Sequence, residues 1–134
     1  MKWLLVAALV VLVASSAYLI RARNQSKAEK TREAYYESKL AWYNAQFKIG
    51  LTRGQIEAEL MAKRIPFKRI CCLHPHDRVL TDLVKIGKEK GPWYCSGTLI
   101  NVAFEFHADE DPLKSDETDV LDKVSIFQQA DGCL

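Results

Sequence analysis

The sequence predicts an α+β protein in which a short helix and the end of a longer helix pack on a three- to four-stranded antiparallel sheet. Three observations predict it. A charged segment without glycine or proline has helical periodicity, a short capped helix follows and stops at Pro66, and the apolar residues after Pro66 alternate with polar ones. We assign residues 1–23 to a membrane anchor, 24–49 to a helical stalk and 50–134 to one small domain.

The first element is an apolar segment with no charged residue between Trp3 and Ile20. These residues as a helix rise about 27 Å, which just reaches across the hydrocarbon of a bilayer. The segment therefore predicts an uncleaved transmembrane helix that binds the chain to a membrane as a single-pass signal anchor. A cleaved signal peptide is the alternative, because Ala14 and Ala17 bracket small residues that suit a peptidase.

The charges and the cysteines give opposite predictions for the side of the membrane. The segment is followed by five basic residues, which favour a cytoplasmic domain. They are Arg21, Arg23, Lys27, Lys30 and Arg32. Four cysteines crowded into a small domain favour an oxidising compartment instead, and on that ground we predict an extracytoplasmic domain in the cell envelope. The net charge of +2 is too small to indicate a nucleic acid partner.

The stalk has four apolar residues at helical spacing in its second half. They are Tyr36, Leu40, Tyr43 and Phe47. We predict that the polar first half is solvated and that this stripe packs on the domain core. A partner-binding or dimerising face is the alternative interpretation of the stripe.

The short helix has local signals at both of its ends. Gly50 suits the end of the preceding helix, Thr52 and Gln55 form a T-x-x-Q capping box, and Pro66 prevents continuation. The predicted buried stripe of this helix consists of Ile56, Leu60 and Met61.

Four strands are predicted after Pro66, separated by turn-rich segments. They cover residues 67–73, 79–86, 99–107 and 123–128. The third has the clearest alternation, with four apolar residues facing one side of the sheet and polar residues facing the other. The apolar set is Ile100, Val102, Phe104 and Phe106. The acidic loop 108–118 lacks the residue order of a calcium loop and is predicted to be solvated.

The segment from Lys48 to Ile65 carries a family resemblance, and the rest of the chain shares only the order of elements. Gly50, Leu51 and Thr52 start the helix, Ile56 and Leu60 follow four residues apart, and antiparallel strands come next. This pattern resembles the SmpA/OmlA (BamE-like) domain of bacterial envelope proteins, whose fold is shared with the β-lactamase inhibitor protein. The resemblance implies an α+β scaffold for protein contacts in the envelope, and it carries over no catalytic residue.

The four cysteines are Cys71, Cys72, Cys95 and Cys133. Adjacent residues of a strand point to opposite faces, which disfavours a bond between Cys71 and Cys72. We therefore predict that these two bond separately to Cys95 and Cys133, in either of the two possible arrangements. Reduced buried thiols and redox or metal chemistry are the alternatives.

The metal alternative depends on two cysteines and two histidines close together in the sequence. Cys71, Cys72, His74 and His76 supply thiolate and imidazole ligands, but they lack the C-x-x-C spacing that structural zinc sites usually have. We therefore predict no metal and no cofactor, and we interpret the histidines as part of a solvated turn.

No set of residues forms a catalytic signature, so the sequence predicts a protein that is not an enzyme. The predicted function is contact with another protein of the envelope, with Trp93 and Tyr94 as candidate interaction residues beside Cys95. The alternative function is thiol redox or metal handling by the cluster of Cys71 and its neighbours. A purely structural role as a spacer is a third hypothesis.

Overall fold

The structure is a computed structural model that describes residues 2–71, 73, 80–107 and 116–133, with side chains from Val11 onward. It has a long helix, a short helix and a four-stranded antiparallel sheet, which confirms the predicted α+β class. The elements are α1 (Lys2–Gln46), α2 (Arg53–Ala62), β1 (Lys68–Ile70), β2 (Thr81–Glu89), β3 (Gly97–His107), a 3₁₀ turn (Asp116–Thr118) and β4 (Val120–Asp131). The chain divides into two compact units between Glu37 and Ser38.

The first unit contains the part of α1 that was predicted to span a membrane. Among the residues that the structure describes, no helix is long and apolar enough to cross a membrane. This finding contradicts the prediction of a single-pass membrane protein. The predicted extracytoplasmic location of the domain depended on that anchor and is withdrawn with it.

The sheet of the second unit is a meander in which each strand pairs with the next one along the chain, in the order β1-β2-β3-β4. β1 has three residues, whereas β3 and β4 pair along nearly their whole lengths, from Gly97 opposite Asp131 to His107 opposite Val120. β4 is twice as long as the predicted strand at 123–128. The extra residues lack clear alternation, and their pairing with β3 holds them extended.

The inner face of the sheet, defined as the face that packs on α2 and the end of α1, contains the core. The four apolar residues predicted to share one face of β3 are all buried, as expected. Tyr43 and Phe47 from α1 are buried with them, which confirms that the end of the predicted stalk packs on the domain. The rings of these two residues make edge-to-face contacts with Phe104 at 5.8 and 5.3 Å between centroids.

The short helix begins as predicted. The Thr52 N–H donates to the Gln55 side chain at 2.9 Å, the Gln55 N–H donates to the Thr52 hydroxyl at 3.4 Å, and Gly50 has a φ of 95°. The predicted stripe is wrong at Met61, which is 61% exposed. The buried side of α2 consists instead of Arg53, Ile56, Glu57 and Leu60.

The capping box gives a first testable prediction. Replacing Thr52 by alanine is expected to lower the free energy of unfolding by about 1 kcal/mol, because the Gln55 N–H loses its acceptor. Urea unfolding followed by circular dichroism measures this loss. Thr52→Ser keeps the hydroxyl and serves as the control, so equal losses in the two variants would contradict the capping role.

Candidate interaction site

The loop between β2 and β3 presents two aromatic side chains to solvent. Trp93 is 93% exposed and Tyr94 is 46% exposed, and their rings make an edge-to-face contact at 5.7 Å. The Cys95 N–H donates to the Pro92 carbonyl at 2.9 Å, which closes a tight turn around the two aromatics. We call residues 91–96 the aromatic loop.

The aromatic loop is fastened to the end of β4. Cys95 forms a disulfide with Cys133, and the Ser96 N–H donates to the Asp131 carbonyl at 2.9 Å. The Lys88 ammonium donates to the Asp131 carboxylate at 2.7 Å. The hydrogen bonds from Lys88 and Ser96 hold the pKa of Asp131 below its usual value. Covalent and polar contacts therefore hold the base of the loop in one place.

The Cys95–Cys133 disulfide corrects the predicted pairing, because neither cysteine is available to Cys71 or Cys72. The reason is the length of β4. Its last residue, Asp131, pairs with Gly97, so positions two residues beyond each strand end meet at the same edge of the sheet. Cys71 is also disulfide-bonded, and no cysteine in the described ranges is free.

Removing this disulfide gives a second prediction. The bond joins residues 38 positions apart, and we expect the Cys95→Ala/Cys133→Ala variant to lose about 4 kcal/mol of unfolding free energy. Urea unfolding of the double variant measures this without a reductant, which would also act on Cys71. An unchanged urea midpoint would contradict a stabilising role.

Other predicted site residues fall outside the described part of the chain. Cys72, His74 and His76 are not described, and neither is most of the acidic loop. Within the described residues, no group of histidine, cysteine, aspartate and glutamate could hold a metal ion. The metal and redox hypothesis for this cluster therefore stays untested.

A buried charge cluster joins α2 to the sheet and was not predicted. Arg53 and Asp82 are 0% exposed, and the guanidinium donates to both carboxylate oxygens of Asp82. Its Nε also lies 3.2 Å from the carboxylate of Glu57. Arg69 on β1 donates to both oxygens of Glu57, at 2.7 and 2.5 Å. We call these four residues the charge cluster.

The charge cluster shifts the pKa values of its two acids in opposite directions. Burial tends to raise the pKa of Glu57, but the hydrogen bonds and charge of Arg69 and the charge of Arg53 outweigh it and lower this pKa. Burial raises the pKa of Asp82 above its usual value, although Arg53 opposes the rise. Arg53 and Asp82 are closed off from solvent, so this pair joins α2 to the sheet and is not an open site, whereas Arg69 at the edge of the cluster is exposed.

Comparisons with protein-family models, with curated proteins and with solved structures give no match to this chain. The resemblance of the segment from Lys48 to Ile65 to SmpA/OmlA domains therefore stays a prediction.

Proposed function

We propose that this protein is a non-enzymatic binding domain that recognises another protein through the aromatic loop. The observation that carries the proposal is Trp93, which is 93% exposed on a loop held by a disulfide. Trp42 supplies a contrast, because it is 42% exposed and its ring contacts Tyr43 and the Lys63 ammonium. Among the described residues, Trp93 has only the neighbouring Tyr94 as a ring contact.

The residue types of the aromatic loop and its attachment to β4 both favour binding to a protein. Tryptophan and tyrosine are enriched among the residues that contribute most of the free energy at protein interfaces. A loop already fastened at Cys95 and Ser96 loses less conformational entropy on binding than a free loop. The expected partner is a protein with a concave apolar pocket that receives the indole ring of Trp93.

The proposed family resemblance supports the same role, because the SmpA/OmlA domain is a scaffold for protein contacts. The proposed function assigns no catalytic residue.

Affinity capture with the immobilised full chain tests the proposal. We expect quantitative mass spectrometry to find at least one protein retained by the wild type and lost with Trp93→Ala. Met61→Ala is the matched control, since Met61 is an exposed apolar residue on α2 and its loss leaves the aromatic loop intact. A photocrosslinking residue in place of Tyr94 should form an adduct with the same protein.

If the wild type, Trp93→Ala and Met61→Ala retain the same proteins in the same amounts, the aromatic loop is not the contact surface.

A further inference from the structure

A groove of about 320 Å³ lies on the outer face of the sheet, the face opposite the one that packs on α2. This volume lies near the lower end of the range for small-molecule sites, about 300–1,000 Å³. The residues that matter for its chemistry are Phe67, Lys68, Leu83, Lys85, Leu99 and Asn101. The groove is separate from the aromatic loop, so a ligand bound there is independent of the proposed function.

Asn101 lines this groove, and its side chain carries a buried hydrogen-bond donor that has no partner among the described residues. Asn101 is 4% exposed, lies opposite Lys85 on β2 and Phe127 on β4, and its Nδ2 has no hydrogen-bond partner among the described residues. Native structures keep few buried polar groups unpaired, and each of them needs a reason. The terminal amide torsion is broad and roughly two-fold, so its rotation can aim the N–H donors at an acceptor in the groove.

Two cations line the same groove. Lys68 and Lys85 are exposed, and the charge of Lys85 also contributes to the lowered pKa of Asp131. Lys88 and Lys123, by contrast, lie 2.7 and 3.4 Å from the carboxylates of Asp131 and Glu105. Two ammonium groups and an amide donor around one space favour an anionic acceptor, and a carboxylate makes strong charge-assisted hydrogen bonds with such donors.

The remaining lining restricts the shape and polarity of the occupant. Phe67, Leu83 and Leu99 give the groove apolar walls, and the lining extends from the chain before β1 across β2 and β3. A peptide strand added beside β2 would run along the strands. A narrow apolar chain with a carboxylate at one end fits a groove that crosses them.

We propose that the groove binds an amphiphilic monocarboxylate of the fatty acid class. Lys68, Lys85 and the amide of Asn101 hold the carboxylate, and the hydrocarbon chain lies against Phe67, Leu83 and Leu99.

Isothermal titration of the full chain with decanoate, below its micelle concentration, tests the proposal. We expect saturable binding of one decanoate per chain, with decanol binding at least about tenfold more weakly because it lacks the charge. Equal affinities for decanoate and decanol, or no saturable binding of decanoate, would overturn the proposal. Tighter binding of a short peptide with a C-terminal leucine would also overturn it, in favour of a chain terminus as the ligand.

Matched lysine variants locate the binding. Lys85→Met is expected to weaken decanoate binding at least about tenfold. Lys123→Met, which removes a lysine opposite Glu105 on β3 and outside the groove lining, should bind as the wild type does. Asn101→Leu should also weaken decanoate binding. If this variant does not fold, Lys85→Met alone tests whether decanoate binds in the groove, because Lys85 is exposed and its replacement should not disturb the fold. Equal effects of the two lysine variants would place the binding elsewhere.

Discussion

Replacing Arg53 by methionine is expected to lower the free energy of unfolding by about 3–5 kcal/mol, which is the cost of breaking a buried ion pair from one side. Methionine is similar in length to the aliphatic part of the arginine side chain, so the main change is the loss of charge and donors. Asp82, which is 0% exposed, then has no cation directly bonded to it among the described residues. Urea unfolding of the variant measures the loss.

Two further variants separate a charge effect from a packing effect. Lys123→Met removes an exposed cation that lies 3.4 Å from Glu105, and we expect it to cost less than about 1 kcal/mol. Arg53→Met combined with Asp82→Leu removes both buried charges, and we expect it to be more stable than Arg53→Met alone. Asp82→Leu alone completes the cycle: if its loss and that of Arg53→Met simply add to the loss of the double variant, the pair is not coupled and this explanation is wrong.

The pH dependence gives the same prediction an independent readout. The pKa of Asp82 is raised in the folded protein, so the folded state binds more protons than the unfolded state as the pH falls toward about 4. Without Arg53, the pKa of Asp82 rises further, and protonation removes the unpaired charge. The stability gap between wild type and Arg53→Met should therefore narrow between pH 7 and about pH 4. A gap that widens on acidification would contradict the assignment.

The lowered pKa of Glu57 has the opposite effect on the pH dependence of stability from the raised pKa of Asp82. It is lowered in the folded state, so its stabilising contribution exists above the unfolded pKa and is lost as the pH falls through the folded pKa. Arg69 donates to both oxygens of Glu57, and we expect these hydrogen bonds to persist in the Arg53→Met variant. Because the charge of Arg53 also helps to lower the pKa of Glu57, its loss narrows the gap in the same direction, so the narrowing is assigned to the two acids of the charge cluster together.

The sequence alone predicted the features that depend on residues close together in the chain. The capping box of Thr52 and Gln55 and the positive φ of Gly50 involve contacts within a few residues, and alternation in β3 marks the buried face directly. Each of these features could be predicted because the signal and the structure occupy the same short segment.

The charge cluster could not be predicted in the same way, because Arg53 and Asp82 are 29 residues apart. A signal was nevertheless present. Arg53 is in phase with the apolar stripe of α2 that contains Ile56, and Asp82 is in phase with Val84 on β2. A charged residue at a position where the hydrophobic periodicity of a helix or strand predicts an apolar one is expected to be buried, and a buried charge needs an oppositely charged partner. The periodicity does not identify that partner.

The candidate interaction site was predicted in part. Trp93 and Tyr94 were selected as interaction candidates from their types and their position beside Cys95, and both are exposed. The pairing of Cys95 with Cys133 was missed, because the predicted fourth strand ended at Gln128 and left Cys133 without a position relative to β3. Strand ends depend on the ladder formed with the partner strand, which one segment does not encode.

The packing of α1 on the sheet leads to the second large effect, at Phe104. Replacing Phe104 by alanine is expected to lower the unfolding free energy by about 3–5 kcal/mol, because its ring is 0% exposed and contacts both Tyr43 and Phe47. Phe127→Ala on β4 is the matched control, since Phe127 is only half-buried and should cost less.

A double-variant cycle then tests whether the contact between α1 and β3 is specific. The Phe104 and Phe47 rings lie 5.3 Å apart at an angle of 87°, a geometry for which coupling of about 0.5–1.5 kcal/mol is expected. The losses of Phe47→Ala and Phe104→Ala should therefore add to more than the loss of the double variant. Strict additivity, or a Phe104→Ala loss no larger than that of Phe127→Ala, would show that these aromatic contacts do not hold α1 on the sheet.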